Sequence, residues 1–382
     1  LLLSFLISIH AVVISALYFF LPIYLAGTLS FSGAQIGLLY AVLGLNSLLA
    51  AFPVGVVGDR YPARILTRLG LVGIAASLWG LAQAERFWPF FLLFFGFGLS
   101  LQLYRQSLDI MLFKEGVMAN NTRRFGAYNA WRMGGMAVGI LLGGISLYFL
   151  DYPKTFQLLA ALLLLILVPT WRLPLTRGQQ SPLLQYGRDF LSGPVLFFVT
   201  WLFLFTMHWG AEGTSLGLFL KKDLGLSTLG VGLYLCGEFT VVALTAYLYG
   251  RYGVGRLSPF ALLALALATS GLGHIFMTYP DLAWSFAWRM VHGFGDGLIV
   301  MITYTTIAHL FHVDRIGGNA GLISLATTLG VLTGSLIYGP MGASWGYAMP
   351  LIISGITSLA LIPLAYVGLR ERERIVERGP GT

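Results

Sequence analysis

Twelve apolar runs constrain this chain more than any other feature of its sequence. They fall at about 2–26, 34–58, 65–84, 88–113, 124–150, 154–171, 194–220, 226–250, 257–278, 282–312, 318–340 and 346–368. A bilayer core about 30 Å thick takes roughly 20 residues of helix, so runs of this length can cross it. Inside lipid the backbone must satisfy its own hydrogen bonds, which leaves only helices or closed barrels. Barrel strands are about 10 residues long and alternate apolar with polar positions, whereas these runs are apolar on every face. The fold expected is an all-α membrane protein of twelve transmembrane helices. The first run, at about 25 residues, is longer than the roughly 7–15 of a signal peptide's apolar core and reads as a true span. Numbering opens inside that run, so leader residues are expected before Leu1.

Composition agrees. Only 10% of the 382 residues are charged, against roughly 25% in soluble domains. The net charge of +8 is spread between apolar runs and forms no patch, so nucleic acid is not an expected partner. The single cysteine, Cys236, permits no internal disulfide.

Lys and Arg set the orientation. Sixteen of the 23 lie in one set of alternate loops and the C-terminal tail, Arg177, Arg256 and Arg378 among them. Four lie in the opposite loops, and Arg105, Arg132 and Arg289 lie within spans. The positive-inside rule then places both termini in the cytoplasm, as an even number of spans requires. The polar, basic stretch 172–193 divides the chain into an N-terminal six-helix bundle, 1–171, and a C-terminal one, 194–368. A charged cytoplasmic tail, 369–382, follows.

The two halves repeat. LPIYLAGTLSFSGAQIGLLY from Leu21 aligns without gaps with LGLFLKKDLGLSTLGVGLYL from Leu216. FGFG at Phe95 matches HGFG at His292, and Gly126, Gly139 and Gly143 match Gly317, Gly330 and Gly334. A direct repeat gives two pseudo-symmetric bundles of the same orientation, and halves rocking about a central site are one route to alternating access.

Several motifs resemble those of the major facilitator superfamily of secondary transporters. GVVGDRYPAR, Gly55 to Arg64, is similar to the family's signature loop, with Pro62 where a glycine is usual and Ala63 where a basic residue is usual. The matching loop of the second half, Gly250 to Arg256, lacks the aspartate. RMVHGFGDG, Arg289 to Gly297, resembles an Arg-x-x-x-Gly-x-Gly pattern. GMAVGILLGG, Gly135 to Gly144, resembles an exporter glycine motif with Ile140 in place of its proline. The resemblance implies that the first, fourth, seventh and tenth spans line a central cavity. It also implies that Gly55, Asp59, Arg60 and Arg64 form a conformational latch together with Asp109. Asp59 is expected to face the helix start near Ile65, and Asp109 to pair with Arg60, Arg64 or Arg105.

Ionisable groups inside spans cost about 2.5–3.5 kcal/mol each on insertion scales, so each is a functional candidate. At 1.5 Å per residue, His10, His208, Glu238 and Asp296 fall near mid-depth. Arg289, His292 and Asp296 share one helical stripe, as do His208 with Glu212 and Arg105 with Asp109. Burial favours the protonated carboxylate and a neighbouring guanidinium favours the charged one, so a carboxylate moving between such settings carries a proton. Glu238 and Asp296 are the leading proton-coupling groups, with Glu212 and His208 as relays. A static Arg289–Asp296 pair is the structural alternative. Arg132, Arg105, Arg289, His292, His10 and Trp209 are the candidate substrate-binding residues, the arginines suiting an anionic group.

The function expected is secondary active transport of a small organic solute, proton-coupled and with export ahead of import, by a monomer in a bacterial inner membrane. Solute, protons and membrane lipid are its expected partners. A lipid or lysolipid flippase of the same fold is one alternative and a membrane-embedded transferase another. Short loops and centrally buried charges disfavour an enzyme. No cofactor is expected. No metal site is assigned either, the HxxxD from His292 to Asp296 being a weak metal signal.

Overall fold

The computed structural model describes residues 1–18, 20–115, 121–176, 180–253 and 257–377. Arg177, Arg256 and Arg378 lie outside them, as do residues 254–256 of the degenerate loop and 378–382 of the tail. Every regular element among the described residues is helical. In the first half these are α1 (Leu2–Tyr18), α2 (Leu21–Gly27), α3 (Gly33–Arg60), α4 (Ala63–Leu81), α5 (Phe87–Lys114), α6 (Asn121–Phe149) and α7 (Tyr152–Ile166). A short helix, α8 (Leu183–Phe190), lies in the central polar stretch. The second half holds α9 (Gly193–Ala211), α10 (Gly217–Lys222), α11 (Thr228–Tyr252), α12 (Pro259–Phe276), α13 (Leu282–Leu310), α14 (Ile316–Trp345) and α15 (Ala348–Glu377).

Ten helical segments among the described residues are long and apolar enough to cross a membrane, and α9, a π-turn at Glu212–Leu216 and α10 together make one of them. The first expected run is divided between α1 and α2. Pro22 stands in the first turn of α2, the one place in a helix where its missing N–H costs nothing. The 29-residue α13 is one continuous helix that carries Arg289 and Asp296 and falls outside the ten. Many large apolar side chains point outward, including Leu49, Leu92, Leu165 and Leu336. Water would expel a surface of that kind, and lipid covers it.

The repeat is visible in local chemistry. Ser32 caps α3, accepting from the Gln35 amide while Gln35 Oε1 accepts from the Ser32 amide, a capping box. Ser227, its partner in the alignment, caps α11 by accepting from the Gly230 amide at 3.1 Å. Both helices therefore start at matched positions.

Contacts divide the chain into two compact units. One comprises Leu1–Arg124, Trp131–Phe190 and Ile307–Leu325. The other comprises Phe125–Ala130, Leu191–Thr306 and Ala326–Thr382. In the first, Gly139 and Gly143 of α6 lie against the backbone of Val12 and Ala16 on α1. In the second, the matched Gly330 and Gly334 of α14 lie against Phe203 and Met207 on α9. A methyl at any of the four would overlap a carbonyl oxygen, so these glycines set how closely the helices approach. The other matched pair is reciprocal. A Cβ on Gly317 would sit 2.7 Å from the Gly55 carbonyl oxygen, within the first unit. One on Gly126 would sit 2.6 Å from the Gly250 Cα, within the second. Gly250 is the repeat partner of Gly55.

Candidate functional site

The second unit buries a dense polar cluster. Arg289 on α13 is 1% exposed and divides its fork between two carboxylates. Nη1 donates to Glu212 Oε1 at 2.6 Å and Nη2 to Glu238 Oε2 at 2.5 Å. One turn along α13, His292 places Nε2 3.0 Å from Glu212 Oε1, 3.7 Å from Asp296 Oδ1 and 3.9 Å from Glu238 Oε1. Asp296 accepts from the Trp209 indole N–H at 2.8 Å and from the Ser270 hydroxyl at 2.9 Å, and His208 Nε2 lies 3.3 Å away. His274 on α12 has its Nε2 2.9 Å from Glu212 Oε1.

Local sequence explains how four elements converge here. Glycines of α13 face both neighbours. A Cβ on Gly293 would meet the Glu238 side chain on α11 at 3.2 Å, and one on Gly295 would meet the Ser270 amide on α12 at 2.5 Å. Gly273 on α12 likewise lies against the His292 backbone, where a Cβ would be 2.6 Å from its nitrogen. Short side chains at these points let polar groups on adjacent helices reach one another. Glu212 opens the π-turn, a local widening that recurs at functional sites.

Six of the sequence candidates, His208, Glu212, Glu238, Arg289, His292 and Asp296, thus lie in one cluster, and Trp209 bonds to it. Arg289 takes Glu212 and Glu238 as partners, and Asp296 is held by a histidine, an indole and a hydroxyl. The static Arg289–Asp296 pair is not formed. His274 and Ser270 were not anticipated; they lie four residues apart in an otherwise apolar run of α12, and that spacing was the available signal.

The remaining candidates lie in the first unit. His10 on α1 is buried and stacks on Tyr104, ring centroids 6.0 Å apart, while the Tyr104 hydroxyl donates to the Leu6 carbonyl. Arg132 lies on α6. Arg105 donates to Gln102 Oε1 at 2.9 Å and Ser324 Oγ at 3.1 Å, and pairs with Asp109 at 3.5 Å.

The loop after α3 is also organised. Asp59 is fully buried. Its carboxylate accepts from the amides of Gly317 at 3.0 Å and Gly318 at 2.7 Å, from the Tyr186 hydroxyl at 3.1 Å, and from Lys114 at 2.9 Å. It therefore caps α14, where free amides and a positive dipole end meet it. It does not face the helix start near Ile65. Helix α3 continues through Arg60 and the chain extends only at Tyr61, which turns Asp59 away from α4. The first amide of α4, on Ala63, bonds to Thr176 Oγ1 instead. Gly55 lets the backbone of Gly317 approach. Arg60 reaches the Ser181 carbonyl at 3.4 Å, and the buried Arg64 Nε has no hydrogen-bond partner. Beside this lies a second carboxylate contact: Asp189 on α8 binds Arg315 at 2.8 and 3.2 Å and Asn319 at 2.9 Å. Partial burial pushes the Asp189 carboxyl up, and the bonds from Arg315 and Asn319 outweigh it, leaving the pKa below its ordinary value. Lys114, Tyr186, Asp189 and Arg315 were not anticipated as latch residues.

Ten apolar spans and only helical elements among the described residues, with ion pairs buried among them, define an integral membrane protein. The chain belongs to the Major Facilitator Superfamily, which its residues 3–286 match. No curated protein matches it. Among solved structures it is similar to the human organic anion transporter MFSD10 (TETRAN), with 17% identity over 95% of this chain and 98% of that one and a TM-score of 0.77. It is also similar to the major facilitator transporter FucP in the outward conformation, with 14% identity, 96% and 97% coverage and a TM-score of 0.72. The E. coli fucose:proton symporter FucP is similar at 12% identity, with the same coverage and TM-score. These likenesses establish the fold, and with the family they make the chain a secondary transporter.

Proposed function

We propose that this protein is a twelve-span, proton-coupled transporter of small organic solutes carrying an anionic group, working by alternating access. Both termini and the 172–193 linker then face the cytoplasm of a bacterial inner membrane. The observation that carries the reading is the cluster around Arg289, whose guanidinium is shared by the buried Glu238 and the half-buried Glu212, with a third carboxylate, the buried Asp296, beside them and one guanidinium for all three. Such a site holds excess negative charge in a low-dielectric setting and takes up cations from whichever side is open. Glu238 and Asp296 are the proton carriers, and Glu212 and His208 pass protons to them. Arg105 and Arg132, with the buried imidazole of His10, offer guanidinium groups suited to an anionic substrate group, Arg105 being held by Asp109. Of the three likenesses, one is to an organic anion transporter and one is to a structure described as a fucose:proton symporter. Export is the direction we assign, on the glycine pattern of α6. The contacts of Asp59, Gly55, Arg60 and Arg64, and the Arg105–Asp109 pair, act as a latch that breaks once per cycle.

The test is to replace Glu238 with Gln and Asp296 with Asn in proteoliposomes. Exchange of labelled solute should persist and uphill accumulation should vanish. Uphill transport that survives both changes refutes the assignment.

A further inference from the structure

The three buried histidines of the cluster are oriented alike. His208 Nδ1 lies 2.6 Å from the Phe205 carbonyl and His292 Nδ1 lies 2.9 Å from the Ser270 carbonyl. A carbonyl only accepts, so both Nδ1 atoms carry hydrogen. His274 Nδ1 lies 2.9 Å from Ser354 Oγ, whose own hydrogen goes to the Leu351 carbonyl, so this Nδ1 donates as well. In the neutral rings every Nε2 then carries a lone pair, and all three point at carboxylate oxygens; Arg289 Nη1 lies 3.3 Å from that of His274, while those of His208 and His292 face the carboxylates without such a donor. Lone pairs facing anions repel unless a positive charge lies between them. His292 Nε2 is fully buried and has no hydrogen-bond partner, although three carboxylates lie within 3.9 Å.

From this geometry we infer that the cluster binds one divalent transition-metal ion of the zinc class through His208, Glu212 and His292. One ligand atom from each of these residues lies within 4.8 Å of the other two. Two imidazoles and one glutamate are a donor set zinc uses with a water in the fourth position, and imidazole selects zinc, cobalt and nickel over magnesium or calcium. Histidines that bind metal usually donate their other N–H to a carbonyl or carboxylate, which fixes the tautomer. His208 and His292 already do so. Arg289, His274 and His292 all contact Glu212 through Oε1, which leaves Oε2 as the oxygen offered. Charge also balances. Three carboxylates against one guanidinium leave two negative charges, and one divalent ion cancels both. The ion takes the same lone pairs that coupling protons use, so it holds the carrier uncoupled while bound. This goes beyond the proposed transport reading, because metal binding needs neither solute nor proton gradient.

The test uses the full chain, purified in detergent and freed of metal by chelation. Zinc chloride should leave one zinc per chain after desalting. The cobalt-loaded protein should show nitrogen ligands at about 2.0–2.1 Å by X-ray absorption. His208→Asn and His292→Asn should each weaken zinc binding on the order of tenfold or more, and His309→Asn should leave it unchanged. Should a histidine variant not fold, Glu212→Gln, which keeps the side chain's shape, should give the same loss. Zinc bound no more tightly than to the double histidine variant, an all-oxygen coordination sphere, or magnesium binding equal to zinc would each overturn the inference. Uphill transport that survives Glu238→Gln and Asp296→Asn refutes proton coupling and leaves the metal site standing. Absence of metal does the reverse.

Discussion

Replacing Asp59 with Asn removes the charge on which the start of α14 rests. The carboxylate serves four donors, two of them backbone amides, and nothing else among the described contacts supplies those amides with an anion. An asparagine keeps one acceptor oxygen but sets an NH2 group against donors, and it leaves the Lys114 ammonium, whose side chain is only 7% exposed, with the carbonyls of Gly58 and Asp59 and no counter-ion. Removing one partner of a buried ion pair costs about 3–5 kcal/mol. At about 1.4 kcal/mol per factor of ten, opening of this region should become roughly two to three and a half orders of magnitude more frequent. Hydrogen–deuterium exchange of peptides covering residues 313–325 reads it directly. The Gly317 and Gly318 amides should exchange faster by that factor, while peptides from α12 in the other unit should be unchanged. If those amides keep their wild-type protection in Asp59→Asn, Asp59 is not what holds them, and the latch reading fails.

Two further outcomes follow from single contacts. Gly330→Ala places a methyl against the Phe203 carbonyl and the Thr206 hydroxyl, so α14 must move off α9. A loss of about 1–3 kcal/mol, as for other overpacked sites, should appear as a lower thermal midpoint in detergent, with Gly213→Ala, which meets nothing within 4 Å, as the control. The Asp189–Arg315 contact should be sensitive to acid. Because the Asp189 pKa is depressed in the folded chain, its contribution is full above the unfolded value of about 3.9 and disappears as pH falls through the lower folded value. The difference in thermal midpoint between wild type and Asp189→Asn should be present at neutral pH and shrink below about pH 4. A difference that grows in acid would refute the assignment.

Much of this was legible in the sequence because it is written in local periodicity. The helical runs, the paired caps Ser32 and Ser227 and the matched glycines at 139 and 330 all follow from residues a few positions apart or from the repeat. The candidate cluster was legible for a different reason. Charge inside an apolar run is costly, so Glu238, Arg289 and Asp296 announce themselves wherever they fall. Partner choice was not legible. Arg289 and Asp296 share a helix stripe, yet the guanidinium is claimed by Glu212 from the π-turn and Glu238 from α11. Nothing in the spacing within α13 encodes those neighbours. His274 is marked in the sequence only by its four-residue spacing from Ser270, a weak signal within an apolar helix. Tyr186, Asp189 and Lys114 converge on the Asp59 region across gaps of 55 to 130 residues, where short-range reading has no purchase. Pro22 marks the break between α1 and α2 only weakly, because Pro53, Pro340 and Pro363 lie inside long helices.

Proton movement driven by solute is the most direct measurement of the central claim. Wild-type protein in proteoliposomes with an internal pH dye should change lumenal pH when an organic anion from a metabolite and drug panel is added. The change should be absent in Glu238→Gln/Asp296→Asn. A labelled solute that crosses the membrane with no pH change, in wild type and variant alike, contradicts proton coupling at this cluster.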